Sequence, residues 1–110
     1  MQMFRYSADR KPVLAFTFLF AIDVAIYLSV DTWWMLALWT GLGIIPKGCV
    51  CAYNHHHQHV PTFLKPWANR LLEAMYTLHT GLVGHAWVLH HTLGHHVNYL
   101  DQTKDESRWK

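Results

Sequence analysis

Two long apolar runs separated by a short polar break constrain this chain more than any other feature. Residues 13–30 read VLAFTFLFAIDVAIYLSV, and residues 35–53 read MLALWTGLGIIPKGCVCAY, with DTWW between them. As an α-helix the first run of 18 residues rises about 27 Å, close to the ~30 Å hydrocarbon core of a bilayer. A signal peptide is the rival reading, because basic residues precede the run. The run is too long for the apolar core of a leader, and no small-residue cleavage site follows it. The pattern predicts two membrane-spanning helices, over 13–30 and 33–53, joined at Asp31 and Thr32 with Trp33 and Trp34 at the interface. Pro46 and Gly48 predict a kink near the end of the second helix, and Lys47 is placed to snorkel to the headgroups.

Composition agrees with a membrane chain. Apolar residues make up 52 % and charged residues 15 %, against ~25 % charged in ordinary soluble domains. A net charge of +2, without a basic patch interleaved with aromatics, argues against nucleic acid as a partner. No Lys or Arg occurs from 12 to 46, whereas Lys47, Lys65, Arg70 and Lys104 follow. Both ends of the hairpin are therefore expected on the cytoplasmic side. Cys49 and Cys51 read as packing residues rather than ligands or a disulfide framework.

After a connector with two prolines, RLLEAMYTLHTGLVGHAWVL at 70–89 is apolar again. Glu73, His79, His85 and two glycines make a third crossing expensive. A crossing would also strand the two histidine clusters on opposite sides. The segment is expected to lie in the interface or to be buried against other protein. The tail NYLDQTKDESRWK is expected to be polar and exposed. Asp23 sits inside the first span, where it reads either as a functional polar contact to a partner helix or substrate channel, or as a tolerated polar residue facing the bundle.

The chemistry lies in two histidine clusters, HHHQH at 55–59 and HHTLGHH at 90–96. In a helix, residues i and i+4 share a face, so His55 and His59 can approach one ion, and His91 and His95 form a second pair. His96 follows, turned about 100° round the helix. Neutral imidazole suits iron, zinc, copper and nickel. His56, His57 and His90 are surplus and read as residues that orient the ligands or stand exposed, with His57 the best additional candidate. His79 and His85 read as hydrogen-bonded helix residues.

HHHQHVPTF followed by HHTLGHHVNYLDQTKDESRW resembles the first two histidine boxes of the membrane fatty acid desaturase family. The first box is matched by His55 and His59, the second by His91, His95 and His96, and Asn98 and Asp101 fit the family's habit after the second box. The resemblance covers the chain from about residue 4. It implies an all-α fold, an integral membrane helical hairpin followed by cytoplasmic or interfacial helices that carry the boxes. It implies two non-haem iron ions bound mainly by histidines. The activity it implies is O2-dependent desaturation of a long-chain acyl substrate, carried on lipid or coenzyme A. The implied partners are the lipid bilayer and an electron donor such as a ferredoxin or a cytochrome b5-type protein. Related di-iron membrane hydroxylases and ketolases share the boxes, and a membrane metal-binding protein is the reading from another class. The family's third box and second hairpin are absent, so the chain is expected to be the N-terminal part of a larger enzyme and inactive alone.

Overall fold

The computed structural model describes residues 2–105. Within them the chain is all-helical, without strands. A short 3-10 turn, Ser7–Asp9, leads into α1, Arg10–Ser29, and α2 follows as Trp33–His59. Both helices are long and apolar enough to cross a membrane. Only 11 % of the apolar window of each is buried within the chain. Their large side chains, among them Phe18, Tyr27, Ile44 and Ile45, point outwards. A water-soluble helix hides such residues; their exposure here is what a helix able to cross a bilayer would show.

Helix α2 does not stop at Tyr53. It continues six residues further, to His59, with Pro46 inside it. The first histidine cluster is therefore the last turn and a half of a long apolar helix, not a loop after one. Lys47, expected to reach for headgroups, turns inwards and pairs with Asp23 of α1.

Helix α3, Pro66–Thr80, starts with proline at its first position, where no backbone N–H is needed. Ala68, Leu72, Tyr76 and His79 form its buried stripe. It packs against both α2 and α1, while the two hairpin arms make few direct contacts. Phe16 of α1 meets Tyr53 of α2 at a ring-centroid distance of 5.1 Å and Tyr76 of α3 at 6.5 Å. The N-terminal segment clips the α2–α3 connector: the Arg5 amide donates to the Thr62 carbonyl at 2.8 Å, and the Leu64 amide to the Met3 carbonyl at 2.9 Å.

The apolar segment at 70–89 is not one helix. It divides at Gly81, whose φ of +74° is left-handed and ends α3 as a glycine stop. The chain restarts as α4, Gly84–Trp87, and runs on through a π-helical segment, Val88–His95, into α5, His96–Asn98. The tail also departs from expectation. Asp105 is buried against His95. Asp101 accepts the Thr103 hydroxyl at 2.6 Å and the Thr103 amide at 3.0 Å, which holds its carboxyl below the usual range. The rest of the tail, 106–110, lies outside the described residues.

Candidate metal centre

Four imidazoles from the two clusters converge. The ligating nitrogens of His55, His59, His91 and His96 all lie within 4.8 Å of one another. His55 Nε2 is 2.9 Å from His59 Nε2 and 2.9 Å from His91 Nε2, and His91 Nε2 is 3.1 Å from His96 Nε2. The i, i+4 geometry of α2 makes the first pair.

The second pair comes from the π segment. In an α-helix, residues five apart are turned about 140° from each other, so His91 and His96 would face different ways. The wide i→i+5 turn brings them to one side, and the amide of His96 donates to the carbonyl of His91. His95 stays beside them, its ring stacked on His91 at 5.5 Å, but its nitrogens are not among the four that converge. Its Nδ1 lies 2.9 Å from the Asp105 carboxylate, an acceptor, so Nδ1 carries the proton. Sequence spacing pairs His91 with His95; among the four converging nitrogens the partner of His91 is His96.

Hydrogen bonding among these rings cannot account for the convergence. A ring nitrogen offers one in-plane site, an N–H or a lone pair. His55 Nε2 has two nitrogen neighbours, and so has His91 Nε2. One of the three contacts is left without a proton to share. A single cation accepting a lone pair from each ring would satisfy all of them. At a metal–nitrogen distance of ~2.1 Å, nitrogens at right angles about an ion stand about 3.0 Å apart, which matches the three short spacings; the widest pair, within 4.8 Å, must close slightly to share one ion. The donor set therefore fits a metal ion.

The electrostatics point the same way. Burial first, then the imidazoles of His55, His96, His95 and His59, hold His91 below its ordinary pKa of 6.5. A neutral ring keeps its lone pair for a metal. Trp87 walls one side, with ring centroids 5.5 Å from His55 and 5.3 Å from His91. Next to it an apolar cavity of about 530 Å³ is lined by Leu82, Ala86, Trp87, His90 and His91.

The surplus histidines separate clearly. His57 is buried; its Nδ1 accepts the Thr62 amide at 3.2 Å and faces the Thr62 hydroxyl at 2.9 Å. The proton is then on Nε2, 3.6 Å from Glu73 Oε1. His57 thus ties the end of α2 to the connector and α3, on the side away from the four nitrogens. His56 lines a shallow pocket with Asp9, Ala52 and Tyr53. His79 is a hydrogen-bonded helix histidine within the bundle. Sequence reasoning missed Asp105, Glu73, Thr62 and Trp87 as neighbours of the histidines. Trp87 stands four residues before His91 and Thr62 five after His57, spacings that were open to a local reading; Asp105 and Glu73 meet His95 and His57 only after the chain folds back.

No protein-family model, curated protein or solved structure matches this chain.

Proposed function

We propose that this chain carries the first part of the iron-binding centre of a membrane-bound, O2-dependent fatty acyl desaturase. The observation that supports it best is the meeting of His55, His59, His91 and His96 at the end of a helix long enough to span a bilayer. A redox centre at that depth can work on a substrate dissolved in the membrane. The apolar cavity beside His91 offers a place for a stretch of acyl chain. The charge bias puts this end of the hairpin on the cytoplasmic side, where soluble electron donors such as a ferredoxin, or a cytochrome b5-type protein, can dock.

The residues have distinct tasks in this reading. His55, His59, His91 and His96 hold one ion. Asp105 orients His95 through Nδ1, which leaves His95 Nε2 for a second ion. Trp87 and the cavity wall exclude water and place a methylene near the histidines. Bound iron supplies the O2 chemistry that removes hydrogen from an unactivated carbon. Per double bond, two C–H bonds break and one C=C bond forms. O2 takes four electrons, two from the acyl chain and two from the donor, and with two protons from water and the two hydrogens it leaves as two waters.

The test is to express the open reading frame that carries these residues and measure two quantities. One is iron per purified protein; the other is the fatty acyl profile of the host membranes by gas chromatography. Bound iron without a haem Soret band, with new unsaturated chains, is expected, and His91→Ala should remove both. A Soret band, or zinc retained with no change in acyl profile under reducing aerobic conditions, would overturn the reading. A hydroxylated product would move it to the sister chemistry.

A further inference from the structure

Inside the apolar helices lies a second polar cluster that the metal centre does not use. Asp23 of α1 pairs with Lys47 of α2 through Oδ2, and accepts the indole N–H of Trp39 on Oδ1 at 2.9 Å. His79 of α3 completes it: Nδ1 is 3.0 Å from Lys47 Nζ and 3.0 Å from Asp23 Oδ2. His79 Nε2 donates to the main-chain carbonyl of Phe16 at 3.0 Å. The His79 side chain has no exposed surface, and the Phe20 ring packs edge-on at 5.2 Å. Nδ1 thus stands within hydrogen-bond reach of the Lys47 ammonium, from which a neutral ring accepts, and of the Asp23 carboxylate, to which a protonated ring donates. In both states the imidazole closes the cluster of Asp23 and Lys47.

The placement is unusual for charges. Asp23 lies six residues before the end of α1, about 9 Å along the helix axis, well inside the apolar span. Ionisable groups at such depth are rare and face a bundle interior, because an unpaired one is expensive in lipid. The cluster also joins the three helices where packing alone is thin. The hairpin arms touch little, and α3 is the element that meets both. After α3 the chain has only Gly81 to Val83 before α4, which leads straight into the second histidine cluster. The position of α3 therefore decides where His91 and His96 stand relative to His55 and His59.

We propose that Asp23, Lys47 and His79 form an intramembrane latch that sets α3 against the hairpin and so aligns the second histidine cluster with the first. The latch rests on the metal reading only for what it aligns; its own contacts are independent of any ion. These three are positioning residues, remote from the converging nitrogens.

Two engineered cysteine pairs, each bridged by a short bifunctional thiol reagent, test it in the full chain in lipid nanodiscs, with Cys49 and Cys51 replaced by serine. Thr17→Cys with Met75→Cys reports α1 on α3, since the Thr17 hydroxyl lies 3.7 Å from the Met75 sulfur. Gln58→Cys with Gly84→Cys reports α2 on α4, where a Cβ at Gly84 would stand 3.4 Å from the Gln58 amide nitrogen. Zn2+ affinity is measured in parallel, without the cysteine pairs.

Asp23→Asn and Lys47→Met each leave the partner charge unpaired in lipid. Each should lower both cross-links several-fold and weaken Zn2+ binding about tenfold. The double variant Asp23→Asn/Lys47→Met should recover most of both, because removing both charges costs less than removing one. In it the side-chain amide introduced at position 23 can donate to His79 Nδ1. Wild-type cross-linking in both single variants would overturn the latch. A double variant as impaired as the worse single would overturn the pairing. Loss of the Thr17–Met75 cross-link with the Gln58–Gly84 cross-link and Zn2+ affinity intact would overturn the alignment role. A wild-type chain that binds no Zn2+ would sink the metal reading instead, leaving the two cross-links to judge the latch.

Discussion

Replacing His96 or His95 by alanine separates the folded geometry from the reading of spacing alone. His96 is exposed to solvent and contributes one nitrogen to the four that converge. Its removal leaves packing largely unchanged. Binding of about 10–16 kcal/mol, typical of a four-ligand zinc site, corresponds to roughly 3 kcal/mol per ligand. Water recovers a share of that when it takes the vacated position. At ~1.4 kcal/mol per tenfold, His96→Ala should weaken the first equivalent of Zn2+ by about a hundredfold. His95 lies outside the cluster and holds Asp105. His95→Ala should change the same affinity by about threefold at most, the usual scatter of substitutions outside a site. The assay is competition against a chromophoric chelator in lipid nanodiscs, with helicity checked by circular dichroism. Equal losses in the two variants, or a larger loss in His95→Ala, would refute the π-helical register and restore the His91–His95 pair.

Three further outcomes follow from the same structure. Gly81→Ala should lower stability by ~1–2 kcal/mol, the cost of a Cβ in the left-handed region; a Cβ there meets no neighbour, so Gly81→Asn should cost less, and thermal melts of helicity in detergent that rank them the other way would refute the stop. His57→Ala strands the Thr62 amide and removes a neighbour of Glu73; a loss of about 1–3 kcal/mol is expected in the same melts, and an unshifted midpoint would show that this contact holds nothing. For acid, the folded chain keeps His91 below its unfolded pKa of 6.5, so the unfolded state binds more protons as pH falls through that value. Metal-free stability should therefore drop as pH falls through about 6.5 and below it, and less steeply in His91→Ala; a pH-independent midpoint would contradict it.

Some of this protein is written in local pattern. The two long helices are legible because a helix long and apolar enough to cross a bilayer leaves a long, mainly apolar run in the sequence, broken among charged residues only by Asp23 and Lys47. The observed helices begin or end within a few residues of the expected ones at three of four ends. The pairing of His55 with His59 is legible for a related reason, since one regular helix of known period carries both. The break at Gly81 carried a weaker signal: a glycine inside an apolar run can be tolerated in a helix or can end it, and only the chain's return towards α2 selects the second.

The rest depends on contacts between distant segments. Lys47 has two outlets, the headgroups or a buried acid, and Asp23 on the neighbouring helix decides between them. Asp105 reads as one more polar tail residue until the chain folds back on His95. The second histidine cluster is the sharpest case. Its spacing allows either His95 or His96 to stand with His91, because α and π winding use the same residues with different periods. Local propensity does not separate them. The wider turn places His96, rather than His95, within reach of His55 and His59 across the helix gap. Local pattern settles that a long apolar hairpin runs into one histidine cluster and that a second follows it. Which of those histidines face one another depends on the π winding of Val88–His95 and on where α2 holds His55 and His59, because facing is a relation between two segments and not a property of either.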